Sequence, residues 1–346
     1  YSTGAEAFLL EPQSTNLITQ SETFSDASWI KSNTSITSNS VISPDGTLNA
    51  DKLVESTSNS AHYISNNFSI VSQSYYSFSV FLKKGERTWV KIDSSSNSNW
   101  SCGANFDLDN GVVGSIDSGS AKIENYGNDW YRCTIIGLAN ATTVVAADLI
   151  LGIGDSNVSY QGDGVSGVYI WGAQVEQQSY ATSYIPTSGT TVTRNQETCI
   201  NATPEINSEE GVLYAEISAL ANDGTARRFA ISDGSTSNMI FIGYSNANTI
   251  QFVMRSSGAL VVNSTFTVSD ITQFSKIAFK YKENSCSFWI DGVEVGTDTS
   301  ATMPIGLNNL LFAQGDMATP FFGNTKNLQV YPKALSDAEL INLTTI

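Results

Sequence analysis

The chain has 346 residues, enough for two domains with separate cores. Its 33 Asp+Glu against 17 Lys+Arg and one His give a net charge of -16, which excludes a nucleic-acid binder and any attraction to an anionic membrane surface. Only 14% of residues are charged, 10% are aromatic, and Gly, Ser, Thr and Asn are abundant, the profile of a turn-rich all-β protein. No stretch approaches the roughly 20 apolar residues of a spanning helix. The best run, 144–153, is short and contains Asp148. No secretory leader is recognised, and a first residue Tyr1 reads as a piece of a longer protein.

In chain order, the first clear strand is 76–82, with Tyr76, Phe78, Val80 and Leu82 on one side and Ser77, Ser79 and Phe81 on the other. A turn at Lys83-Lys84-Gly85-Glu86 leads to 89–93, where Val90 and Ile92 take the apolar side. Residues 106–113 read as strand, Asn110-Gly111 turn and strand, since Asn-Gly supplies the two positive φ values of a type I′ hairpin. Strands follow at 130–136, 144–153 and 167–175. After a polar stretch at 187–210, more appear at 212–219, 228–231, 239–244, 250–255, 275–281, 285–290, 309–313 and 327–331, with a tight turn at Asp291-Gly292. One helix is expected at the end: Ser336 to Glu339 form a capping box, with Leu335, Leu340 and Leu343 as apolar contacts. The fold class is therefore all-β, two tandem antiparallel sandwiches of jelly-roll type with one short C-terminal helix. The expected domains are 1–190 and 211–346, joined by a linker over 191–210.

The motif search excludes most chemistry. His62 is the sole histidine, so a multi-His metal site is out of reach. No G-x-S-x-G, H-E-x-x-H or G-x-x-x-x-G-K-[ST] occurs. Gly162 to Gly167 matches G-x-G-x-x-G but leads into a strand, so no helix N-terminus receives a phosphate. The run Asp107 to Gly111 is a faint calcium-loop pattern without its downstream Glu. The acids Glu216, Asp291 and Glu294 do not form the Glu-x-Asp-x-x-Glu set of sandwich glycosidases, and no catalytic residue is assigned. Cys102, Cys133, Cys199 and Cys286 lack zinc-site spacing; free, mostly buried thiols are expected, and pairing of Cys102 with Cys133 stays open.

Aromatics are the positive signal, because a ring face is a natural platform for the C–H face of a sugar. Trp29, Trp130 and Trp171 are expected in the core. If 76–82 and 89–93 pair through the intervening turn, Phe81 and Trp89 become outward neighbours, with Lys83 and Lys91 nearby to bind hydroxyls or attract an acidic sugar. Tyr63 and Trp100 would extend this carbohydrate site from adjacent loops. The alternatives are that Phe81 and Trp89 face another domain or subunit, or line an inner face.

Several segments carry a resemblance. Leu9 to Ile18, Phe24 to Trp29, Ser43 to Thr47, Ala50 to Leu53, Phe78 to Lys83, Asp129 to Cys133, Tyr169 to Glu176, Ala181 to Thr187 and Thr193-Arg194 resemble, in order, a domain common in bacteriophage tail and fibre proteins, itself similar to jelly-roll carbohydrate-binding modules. Phe288 to Gly292 and Leu328 to Leu340 resemble a laminin-G-like, concanavalin A-like sandwich. The resemblance implies a non-enzymatic tail-fibre or receptor-binding component of a virion, assembled in the host cytoplasm and acting outside the cell on host surface polysaccharide. It also implies contact with other virion subunits, a homotrimer in the full-length parent, and neither nucleic acid nor membrane insertion. A sugar-free virion decoration module and the glycan-binding module of a secreted bacterial polysaccharide-degrading protein are the alternatives. No cofactor is assigned. Related jelly rolls often hold a structural calcium on an acid in the last strand; here Trp171 and Gly172 stand where such acids would be, so calcium stays open without assigned ligands.

Overall fold

The computed structural model describes residues 7–94, 98–200 and 202–346. Among the described residues the chain divides into two units, one of residues 13–195 and one of residues 7–12 and 196–346.

The first unit is built on two six-stranded antiparallel sheets. The first sheet runs in the order Val112–Ser118, Gly103–Asp107, Trp89–Asp93, Thr143–Gly152, Tyr63–Ile70, Trp29–Ser32. The second runs Ser120–Gly127, Trp130–Leu138, Tyr75–Lys84, Gly167–Glu176, Ala50–Glu55, Thr34–Val41. Period-two alternation sends one row of each strand into a shared core: Ile64, Val90, Ile92, Phe106, Leu149 and Leu151 from the first sheet meet Phe78, Val80, Leu82, Ile135, Val168 and Ile170 from the second. Gly162 to Gly167 leads into the strand Gly167–Glu176, as expected.

The expected hairpin between 76–82 and 89–93 does not form. Tyr75–Lys84 pairs with Trp130–Leu138 and Gly167–Glu176, whereas Trp89–Asp93 pairs with Gly103–Asp107 and Thr143–Gly152. The intervening turn therefore crosses from one sheet to the other. Arg87 anchors that crossing. Its guanidinium donates to both carboxylate oxygens of buried Glu55, Nε to Oε2 at 2.8 Å and Nη2 to Oε1 at 2.6 Å, and Tyr160 Oη donates to Oε2 at 2.7 Å.

The second unit packs a six-stranded sheet (Phe8–Leu10, Gly323–Tyr331, Glu210–Ala219, Ser275–Lys282, Cys286–Ile290, Val293–Asp298) on a five-stranded one (Ala259–Thr267, Thr249–Ser256, Met239–Asn246, Arg227–Ser232, Asn309–Leu311). The sequence places residues 1–190 together, but Phe8–Leu10 pairs with residues 323–325 of this sheet. Within the expected linker, Val192–Arg194 pairs with Ser14–Asn16 of the first unit. The capping-box helix forms over Asp337–Thr344 with Ser336 as N-cap, and Leu340 is buried beneath it with Leu335 and Leu343 alongside.

Asp291 and Gly292 form the expected tight turn, and both have positive φ, as a type I′ hairpin requires. Asn110-Gly111 differs. Asp107 pairs with Val112 across a four-residue loop, and of the two only Gly111 has positive φ. The cysteines are free. Burial pushes the Cys286 thiol up to about 11 and those of Cys102 and Cys133 higher.

Candidate glycan-binding face

The outward side of the first sheet gathers three of the five expected site residues. In the strand Trp89–Asp93, Val90 and Ile92 point into the core, so Trp89, Lys91 and Asp93 point out. Ladder register then fixes their neighbours. One row across the sheet reads Asn105, Lys91, Ile150, Tyr63; the next reads Gly103, Asp93, Asp148, Ser65; a third reads Asp107, Trp89, Gly152. Asn67 and Ser69 stand exposed further along the Tyr63 strand.

Trp89 is half-buried because glycines make room for it. A Cβ at Gly114 would stand 2.8 Å from the indole Cζ3, and one at Gly152 would stand 3.4 Å from the Trp89 Cβ. Asp155 borders the same ring, held by the Ser115 N–H at 3.1 Å and the Ser115 hydroxyl at 2.7 Å. Tyr63 is also half-buried, across Ile150. Two strand steps of ~4.8 Å and two residues of ~3.4 Å put the Trp89 and Tyr63 Cα atoms about 12 Å apart. That span exceeds one pyranose ring and suits an oligosaccharide.

Lys91 is not the free cation expected. Its ammonium lies 2.8 Å from Asp93 Oδ2 and 2.7 Å from Asp117 Oδ2. Burial pulls its pKa down, but the two carboxylates outweigh that and raise it above the ordinary lysine value. Opposite Asp93, Asp148 accepts the Ser65 hydroxyl.

The other expected residues are elsewhere. Phe81 does face away from Val80 and Leu82, but from the second sheet, and that side is covered. Phe81 is 2% exposed, with Trp171 at 5.2 Å, Tyr126 at 4.9 Å and Tyr184 at 6.0 Å between ring centroids. Lys83 shares that second sheet, and its ammonium donates to the Asn128 carbonyl at 2.8 Å. Trp100 is fully buried; it donates its indole N–H to the Gly137 carbonyl at 3.1 Å and packs edge-on against Phe68. Trp29, Trp130 and Trp171 are buried as expected.

The sequence reading missed Asn105, Asp117, Ile150 and the two glycines under Trp89. Asp148 and Ile150 share a parity in 144–153 that was available, but their neighbours come from a register no local pattern encodes.

The calcium pattern at Asp107 to Gly111 does not fit a metal. Asp107 Oδ1 accepts the Asp109 N–H at 2.9 Å and Oδ2 accepts the Asn110 side-chain amide at 2.7 Å, so the carboxylate closes its own turn. Among the described residues, no three His, Cys, Asp or Glu side chains come together to hold a metal ion. No helix among them is long and apolar enough to cross a membrane.

Residues 195–341 match the model of the family described as concanavalin A-like lectin/glucanases superfamily, of laminin-G type. No curated protein sequence matches the chain. Among solved structures, the chain is similar to the CBM40 of the Ruminococcus gnavus IT-sialidase bound to α2,3-sialyllactose, at 21% identity, 40% of this chain, 84% of that one and a TM-score of 0.35. It is also similar to mouse laminin α1 domains LG4–5, at 10% identity, 80% of this chain, 89% of that one and a TM-score of 0.28. The chain is thus an all-β protein whose residues 195–341 form a laminin-G-like, concanavalin A-like domain.

Proposed function

We propose that this chain is a non-enzymatic glycan-binding component of a bacteriophage virion, of tail-fibre or receptor-binding type, acting on host surface polysaccharide. The observation that carries the binding reading is the half-buried indole of Trp89, seated on Gly114 and Gly152 and sharing an outward sheet face with Tyr63. The lectin-type family match over residues 195–341 supports it. The ordered segments from Leu9 to Arg194 that resemble phage tail proteins support the virion setting.

The acids considered for catalysis are tied into strand structure, with the Asp291 carboxylate accepting the Lys276 N–H at 2.7 Å. Glu216 lies inside a strand, Asp291 closes a hairpin, and Glu294 stands exposed on an edge strand. Binding without turnover is therefore the expected activity.

A glycan array probed with the intact chain gives the ligand, and Trp89→Ala tests the face. The variant keeps its thermal unfolding midpoint and loses about 1–3 kcal/mol of glycan affinity. Unchanged glycan affinity in the folded variant removes this face from the function. Sustained release of reducing ends by repurified protein overturns the non-enzymatic part.

A further inference from the structure

We infer that the outward face around Trp89 and Tyr63 takes an uncharged glycan and turns carboxylated sugars away. This rests on the glycan-binding reading of that face and names its ligand class.

The charge arrangement decides it. Strand parity and register turn Trp89, Lys91, Asp93, Asp148, Tyr63 and Asn67 to this side, and Lys91 is the one cation among them. Its ammonium is already shared by Asp93 and Asp117, at 2.8 and 2.7 Å. Asp148 stands directly across the ladder from Asp93, and Asp155 stands beside the Trp89 ring. Two carboxylates thus hold the one ammonium, and Asp148 and Asp155 add two further acids to this side.

A sialic or uronic acid on this face would have to displace a carboxylate that Lys91 holds in place. It would also lie in the field of buried Asp148 and exposed Asp155, with the chain's net charge of -16 behind them. A neutral sugar has the opposite relation to the same groups. Its hydroxyls donate to carboxylate oxygens, exposed Asn67 offers an amide donor and acceptor, and its C–H face stacks on the indole. The acids serve as fixed acceptors for hydroxyl groups, and the ion pair with Lys91 holds Asp93 and Asp117 in position to do so.

The test uses the intact chain and oligosaccharide pairs that differ by one acidic sugar: lactose-based glycans with and without sialic acid, and xylo-oligosaccharides with and without a glucuronic acid branch. In each pair that binds, the neutral member binds about tenfold tighter at low salt, and the gap narrows as salt is raised. Trp89→Ala loses the neutral binding. Asp117→Asn, which changes a solvent-facing side chain, narrows the gap severalfold. Acidic members binding as tightly as neutral ones, with Trp89→Ala abolishing both, overturn the selectivity and leave the site intact. Binding indifferent to Trp89→Ala, or no binding by any glycan, overturns the site and the selectivity together.

Discussion

Trp89 and Phe81 show how much one residue's environment adds to its identity. Both are large rings at positions opposite an apolar row. Trp89 meets glycines and stays partly exposed; Phe81 meets three further rings. Glu55 makes the same point for a charge. Burial alone would raise its carboxyl pKa, but Arg87, Tyr160 and the Asp163 N–H together hold it below its ordinary 4.5. A depressed carboxyl pKa contributes stability that is present above 4.5 and lost as pH falls through the folded value. Glu55→Gln strips Arg87 of its bidentate partner and costs about 3 kcal/mol at neutral pH. Urea midpoints across pH check this: the gap between wild type and variant starts to close below pH 4.5 and keeps closing.

At the scale of elements, turn chemistry was legible wherever it is local. Asp291-Gly292 and the Ser336 capping box both formed as their residue types require, because each is settled by groups within four positions. Asn110-Gly111 departed because Asp107 captures the loop from its first residue and lengthens it. The edge strand Val112–Ser118 carries the element-level test of the site. Gly114→Ala places a methyl 2.8 Å from the Trp89 ring and 3.0 Å from an Asp155 oxygen, so the indole must move. The expected outcome is a loss of about tenfold or more in glycan affinity with a small change in melting temperature, read by titration and thermal unfolding. An unshifted affinity would mean the ring's seat is irrelevant to binding.

For the whole molecule, the N-terminal strand is the informative piece. Phe8–Leu10 adds an edge to the second unit's six-stranded sheet, Leu10 is 3% exposed, and Phe8 packs edge-on against Phe312. Deleting the residues up to Pro12 removes that cover and costs the second unit about 2 kcal/mol. Amide exchange localises the effect: protection falls in Gly323–Tyr331 and stays unchanged in Trp89–Asp93. Equal loss in both strands would contradict the assignment of this segment to the second unit.

The amino-acid sequence by itself determined the fold class, most strands of both sandwiches, the closing helix, and which side of each strand a residue takes. Those properties follow from side-chain period, turn residues and caps, all local. It did not reveal Trp29–Ser32, Thr34–Val41, Ala50–Glu55, Tyr63–Ile70, Ser120–Gly127, Ala259–Thr267 or Val293–Asp298; Thr34–Val41 and Ser120–Gly127 are Ser- and Asn-rich and lack a clean apolar alternation, and Tyr63 was expected in a loop. Tertiary structure alone decided which strands pair and which faces stay wet. Lys83 to Thr88 has the composition of a hairpin, yet Arg87 finds Glu55, and the chain crosses between sheets. That crossing sent Phe81 under a cluster of aromatics and left Trp89 with Lys91 and Tyr63 on an open face. Whether an outward ring becomes core or platform depends on long-range cover, which no local pattern encodes.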